Sequence, residues 1–373
     1  SRIDRGKGES RTVNDGPVKE VIVTREDVDL LSLPVCYGSE GDGGRYIGGA
    51  MCVTKDPDTG IQNQAYYRTQ IKGRNRATMG IGRREGWRTY LEYKAQGEPM
   101  PMALVLGHHP AYEIAGAYTG QHEGFEEFEL AAALLQEPVE FVPCESIDLR
   151  VPAHAEIVIE GVLLPDVWES EGPYGEYTAY YGTQEANVLE VKAITMRKDA
   201  IYRHLNTTRF TDMHMLHVLG EVQSRVLLQR IFGAATILDV HRPPSATLTT
   251  IVQMVPRYDG HSRQVMLAAL GVLRRSKVVM VVDDDIDIYD LKDIMWALSC
   301  RVNPAVDIFT LDRMHPAFTG GSSVNILVTG STGFIGSTLV SHLAEQGYTV
   351  MRLVRRQWAS QETLVLWDSE AGT

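Results

Sequence analysis

The order of hydrophobic and polar positions divides the chain into a strand-rich first half and a more helical second half. Residues 21–24 (VIVT), 46–54 (YIGGAMCVT) and 61–71 (IQNQAYYRTQI) read as strands, and DPDTG at 56–60 separates the last two as a turn. Residues 125–136 (FEEFELAAALLQ) carry apolar positions at helical spacing, with Pro138 just beyond their end. Residues 155–163, 186–197 and 200–205 alternate as strands do. A long amphipathic helix is expected over 211–233. After it the pattern predicts strand 245–255, helix 260–275, buried strand 277–285 and helix 290–301. The sum is an α+β fold, with a β-rich, barrel-like middle flanked by α/β elements.

Both ends differ from this body. The polar opening segment, residues 1–18, carries no signal peptide and reads as a frayed or disordered stub of something cut away. The body is then 19–314, HPAFTGGSS at 315–323 is a Gly-rich linker, and 324–373 forms a separate piece.

Composition narrows the function. Hydrophobic residues make up 44% and charged residues 23%, as in ordinary globular chains, and a net charge of −12 disfavours a nucleic-acid partner. No apolar run approaches the roughly 20 residues of a membrane span. The four scattered cysteines (Cys36, Cys52, Cys144, Cys300) form no CxxC pair and read as buried thiols of a reducing cytoplasm.

In the tail, Gly330, Gly333 and Gly336 stand between a strand pattern (NILVT) and a helix pattern (STLVSHLAEQG). Glycines there allow a tight turn whose backbone N–H groups face a pyrophosphate. Arg352, Arg355 and Arg356 at the end of the next strand would suit NADP rather than NAD. The piece resembles the start of an extended short-chain dehydrogenase of the epimerase sort, a partial Rossmann βαβ unit. That family's catalytic Tyr-x-x-x-Lys is expected beyond the end of this chain, so the segment predicts no working nicotinamide chemistry.

Two local patterns in the body carry chemistry. In Glu171-Gly-Pro-Tyr-Gly-Glu176, the glycines and proline predict a turn bringing two carboxylates toward one site. Two close carboxylates repel, so one tends to hold a proton, as a general acid requires. A surface turn with two solvated glutamates explains the same spacing. Arg68, flanked by Tyr66, Tyr67 and Ile71, is expected to be partly buried and to need a carboxylate. Asn63 and Arg68 are an odd number of positions apart, so a straight strand would turn them to opposite faces. A bend or bulge between them would be required for a shared site.

These stretches, with 43–75, 144–161 and 281–307, resemble the UbiD-type decarboxylases over about residues 17–310. The resemblance implies a split-barrel, flavin-binding β-rich core, and a carboxy-lyase that removes CO₂ from an aromatic or α,β-unsaturated acid using prenylated FMN. Arg68 would clamp the carboxylate, Glu176 would deliver the proton, and Glu171 would hold Arg68. The family's metal, Mn²⁺ or Mg²⁺, would be held by Asn63 and Glu127, with K⁺ near the loop Gly116, Ala117 and Thr119. A flavin prenyltransferase would supply the cofactor, and the intact family forms homo-oligomers.

The pattern departs in two places. The family's metal-binding histidine falls near Arg84, and arginine ligates no metal, although it can contact a phosphate directly. The family's N-terminal portion, phosphate-touching loop and C-terminal helical part also find no match, so the chain is expected to be cut at both ends and fused to the tail. The alternatives are an inactive remnant and, more remotely, an NADP-binding reductase. His108 and His109, the trio His204, His214 and His217, and Asp283–Asp285 are expected to have structural rather than metal-binding roles.

Overall fold

The structure, a computed structural model, describes residues 8–82, 85–118, 126–177, 180–206, 213–273, 276–311, 325–329, 349–354 and 364–366. The chain divides into two units, Ser1–Ala317 and Phe318–Thr373. The first unit opens with β1 (Ser10–Thr12), β2 (Val21–Thr24), β3 (Tyr46–Ile47), β4 (Met51–Lys55), β5 (Gln62–Tyr66), β6 (Thr69–Ile71) and β7 (Arg76–Met79). Then come α1 (Glu85–Gln96), β8 (Met100–Leu106), α2 (Pro110–Gly116), α3 (Glu127–Leu135), β9 (Val139–Pro143), β10 (Arg150–Pro152), β11 (Ile157–Gly175) and β12 (Tyr181–Met196). It closes with α4 (Met213–Phe232), β13 (Ile237–His241), β14 (Thr249–Met254), α5 (His261–Val272), β15 (Val278–Val282), α6 (Leu291–Cys300) and α7 (Pro304–Asp307).

The central sheet runs β3-β6-β7-β12-β11-β8-β4-β5, with β2 also paired to β12. Its two ends are stitched together by the chain. Residues 48–50 lead from β3 at one end to β4 beside the other, and Tyr67-Arg68 lead from β5 back to β6. A two-residue link reaches only about 10 Å. The sheet is therefore curled until its edges nearly meet, and Arg68 lies on the seam. Residues 61–71 are thus two strands, not the single one that the pattern suggests.

The curl gives the sheet two buried faces. Along β8, Leu104 and Leu106 join one core with Ile157, Ile159 and Leu189, while Ala103 and Val105 join another with Phe128 and Tyr112 of the helices α3 and α2. This double burial explains why β8 is a continuous apolar run without alternation, and why periodicity alone did not expose it.

Two expectations are corrected here. The opening segment is not frayed throughout: β1 pairs in parallel with β9, Val13 N–H donates to the Phe141 carbonyl at 2.8 Å, and Val18 is fully buried. Its polar side chains concealed a backbone that pairs well. Residues 200–205 form no strand. Ala200 and Tyr202 pack against the first core, and the Leu205 N–H donates to the Gly48 carbonyl (3.2 Å), so their alternation records burial rather than ladder pairing.

Beyond β12, a three-stranded sheet β13-β14-β15 has α4 and α5 packed through Leu228, Val265 and Ala269, and Ile294 and Ala297 of α6 packed with Ile251. Strands β14 and β15 are parallel, with α5 as the crossover. No described helix is long and apolar enough to cross a membrane. In the second unit, β16 (Asn325–Thr329), β17 (Thr349–Val354) and β18 (Leu364–Leu366) pair in parallel, as a βαβ connection requires. Gly330, Gly333 and Gly336 lie outside the described residues, as do Arg84 and Thr119.

Candidate active site

The hairpin of β11 and β12 carries the two glutamates at its tip. The register runs from Glu171 opposite Gln184 to Tyr174 opposite Gly182, three steps along β11 against two along β12. One extra residue is therefore bulged out at Gly172-Pro173, where Gly172 takes φ 114°, which few other residues adopt. The bulge reverses the facing of the residues beyond it. Glu171 and Glu176, five positions apart, come to serve one face. The expected turn at 171–176 is thus a bulge within a strand, and the hairpin reverses afterwards, with Glu176 N–H donating to the Tyr180 carbonyl at 2.9 Å.

Side-chain and backbone contacts fix the bulge. Gly172 N–H donates to Gln70 Oε1 (3.1 Å), Gly43 N–H donates to the Pro173 carbonyl (2.7 Å), and Gly175 N–H donates to Asp42 Oδ1 (2.8 Å).

Arg68 meets both carboxylates from the seam. Its Nε and Nη2 donate to Glu171 Oε2 at 3.2 and 2.7 Å, and its Nη1 pairs with Glu176 Oε1. The guanidinium lies 4.7 Å from the centre of the Tyr174 ring. Glu171 is completely buried, whereas Arg68 and Glu176 keep 19% and 27% of their side-chain surface exposed. The buried acid anchors the arginine, and the exposed end of the guanidinium faces the more accessible acid. Burial pushes the Glu176 carboxyl up, Arg68 pulls it down and Glu171 raises it again, leaving it above the ordinary carboxylate range. Burial also disfavours the Arg68 charge, but the two glutamates outweigh it, and the guanidinium pKa ends above its usual value.

Two further residues complete the group. Tyr46 Oη donates to Glu171 Oε1 at 2.7 Å, and Gln184 Nε2 donates to Glu171 Oε2 at 3.0 Å. Neither was visible in the sequence, because each reaches Glu171 through strand pairing and not through spacing. Tyr46 and Tyr174, their rings 4.5 Å apart, line a shallow cleft with Asp42, Gly48, His204 and Leu205.

A second group lies on the free edge of β5. Asn63 Nδ2 donates to Glu127 Oε1 (3.1 Å), and Gln64 N–H donates to Glu127 Oε2 (3.0 Å). Burial raises the Glu127 carboxyl to about 7 against the opposing Gln64 N–H. Among the described residues, nearby polar atoms have no partner: both ends of the Gln64 amide and the Tyr66 hydroxyl are buried without a hydrogen bond. A side chain at Gly116 would come within 3.1 Å of the Tyr66 ring, and Ala117 follows as the cap of α2. Asn63 and Arg68 thus belong to two groupings, separated by the break in the strand at 67–68.

Two of the remaining candidates have clear structural partners. His109 caps α2, its Nδ1 accepting from Ala111 N–H, and Asp285 pairs with Arg301. All four cysteines are free, but Cys36 and Cys300 are exposed, not buried as the composition suggested. Among the described residues no group of three or more His, Cys, Asp or Glu could hold a metal ion.

Residues 11–209, just over half of the chain, match the family described as the 3-octaprenyl-4-hydroxybenzoate carboxy-lyase Rift-related domain. The chain belongs to the UbiD family. Residues 214–324 match the same enzyme's C-terminal domain, so the UbiD match starts earlier and runs further than the body taken as 19–314. Residues 326–367 match the NAD dependent epimerase/dehydratase family. Among solved structures, the fold is similar to an evolved dimeric form of the UbiD-class enzyme HmfF from Pelotomaculum thermopropionicum, in complex with prenylated FMN. Identity is 34%, with 83% of this chain and 72% of that one covered and a TM-score of 0.77. It is also similar to the 3,4-dihydroxybenzoic acid decarboxylase of Klebsiella pneumoniae (26% identity, 82% and 67% covered, TM-score 0.75). A third similarity is to the vanillic acid decarboxylase of Sedimentibacter hydroxybenzoicus in its closed form (28% identity, 82% and 67% covered, TM-score 0.72). The protein is thus a UbiD-family carboxy-lyase with a β-rich α+β core.

Proposed function

We propose that this UbiD-family chain binds prenylated FMN and catalyses the reversible, non-oxidative decarboxylation of an aromatic or α,β-unsaturated carboxylic acid. The observation that supports this most directly is the arginine forked between a buried and a half-buried glutamate. Loss of CO₂ leaves an electron pair on carbon that side chains alone cannot hold, and the prenylated flavin supplies the electron sink when bound.

The chain's residues supply the rest. Arg68 orients the substrate carboxylate through the end of its guanidinium that now meets Glu176. Glu171 keeps the other end fixed. The C–CO₂ bond breaks, CO₂ leaves, and the proton that takes its place on carbon comes from Glu176, which solvent then reprotonates. A carboxyl held above its ordinary pKa by burial keeps that proton toward neutral pH.

Asn63, Glu127, Gln64 and Gly116-Ala117 fit the cofactor's anchoring end. Their oxygen atoms suit Mn²⁺ or Mg²⁺, and K⁺ near the α2 cap, and the Gln64 amide, unpartnered among the described residues, offers a polar surface to a ligand. Glu127→Gln should lower FMN affinity by about tenfold in Mn²⁺-containing buffer. Fluorescence titration of FMN into the stripped protein checks this, and an unchanged affinity removes Glu127 from the site.

The function is tested by co-expression with a flavin prenyltransferase and a panel of hydroxybenzoates, 3,4-dihydroxybenzoate and vanillate among them, with cinnamate-like acids. Loaded protein should release CO₂ from at least one acid, and unloaded protein from none. Loaded protein that is inert across the panel favours an inactive remnant. A homo-oligomer in solution accords with the same reading.

A further inference from the structure

The geometry points to Tyr46 and Gln184 as positioning residues that tie Glu171 to one side of Arg68, and so set how strongly the arginine engages the proton donor Glu176. This rests on the decarboxylase reading for its kinetic meaning, but not for its structural content.

The division of labour at Glu171 carries the inference. Its Oε2 receives Arg68 Nε, Arg68 Nη2 and Gln184 Nε2 at 3.2, 2.7 and 3.0 Å. Among the described residues, its Oε1 receives only the Tyr46 hydroxyl, at 2.7 Å. Glu171 has no exposed surface, so no bulk water can replace a donor that is taken away. Without Tyr46 Oη, the carboxylate must rotate to find another partner, and rotation breaks its side-on grip on the guanidinium.

The surroundings are shaped for these two donors. Gln184 stands directly across the ladder from Glu171. A side chain at Gly80 would lie 2.3 Å from Gln184 Nε2, so the absence of one there leaves the amide room to reach the carboxylate. Tyr46 is held in β3 opposite Gln70, the residue that also receives the Gly172 N–H at the bulge. Its ring packs on Tyr174, over which Arg68 rests. Tyr46 thus touches both supports of the arginine, the acid that grips it and the ring beneath it.

The sign of the effect comes from the charges facing Glu176. These are Arg68 on the seam and Glu171 on β11, while Asp42, in the loop before β3, acts on Tyr46. Arg68 lowers the Glu176 pKa and Glu171 raises it. Loosening Glu171 frees Arg68 to turn toward Glu176 and withdraws the negative charge that opposes ionisation. Both changes push Glu176 down. The donor then loses its proton at lower pH, and the alkaline limb of kcat moves toward acid.

The test uses full-length protein labelled with [δ-¹³C]glutamate, with the Glu176 resonance assigned by its loss in Glu176→Gln. Tyr46→Phe, which keeps the ring, and Gln184→Met, which keeps the length, should each lower the titration midpoint of that resonance by about one unit. In prenyl-FMN-loaded enzyme the alkaline limb of kcat should fall by the same interval. A midpoint unchanged in both variants, with activity scaled down evenly across pH, makes Tyr46 and Gln184 merely structural and overturns the inference. If Tyr46→Phe does not fold, Gln184→Met decides alone. Wild-type protein that is inert on every acid, yet shows the expected shift of Glu176 in the variants, refutes the functional reading and leaves this one standing.

Discussion

Glu176→Gln is expected to reduce decarboxylation by about 10³-fold while leaving the amount of bound flavin unchanged. The amide has nearly the same shape and can still face the Arg68 Nη1 edge, but it has no acidic proton to give. The remaining contacts of Arg68 run to Glu171 and Tyr174, and none depends on Glu176. Flavin absorbance per mole of protein and CO₂ release, measured on the same preparation, separate the two effects. A variant that turns over at the wild-type rate would falsify the donor assignment, whereas one that loses its flavin would make Glu176 a cofactor ligand instead. In the wild-type enzyme the proton is present below the raised pKa of Glu176 and is lost as pH climbs through it. The rate should therefore fall on the alkaline side.

The other large effect concerns stability. Arg68→Ala should destabilise the first unit by about 3–5 kcal/mol, because it leaves Glu171 as a buried charge with no counter-ion. Tyr46 and Gln184 still donate to that carboxylate, but neither carries charge. Adding Glu171→Gln to Arg68→Ala should recover much of the loss without restoring turnover, since the clamp for the substrate is still missing. Urea unfolding of the two single variants and the double variant gives the coupling between the pair. If Arg68→Ala costs less than about 1 kcal/mol, Glu171 does not depend on the arginine for its charge.

How far the sequence disclosed this site depends on which interaction places each residue. Arg68, Glu171 and Glu176 could be picked out because their chemical types are costly to bury alone, and because glycine and proline punctuate the pair of acids. Their meeting point could not be derived from spacing. The break at Tyr67-Arg68 and the one-residue bulge at Gly172-Pro173 are local departures from strand geometry, and the bulge reverses the facing that a regular strand would impose. Tyr46 and Gln184 were hidden for a different reason. Their role exists only once β3 has paired with β6 and β11 with β12 in one particular register. Among the elements, the long helix α4 was legible in the sequence. β8 was not, because two cores claim its opposite faces and erase the alternation.

The stitching of the sheet's ends has a consequence for how the molecule matures. Tyr67-Arg68 joins the edge strand β5, paired to β4, with β6, paired to β3 and β7 near the other edge, and the acids it meets sit on the far hairpin, more than a hundred residues later. Such contacts form late, after long loops have closed. The guanidinium therefore finds its partners only in chains whose sheet has fully wrapped, so partly folded molecules lack the assembled site.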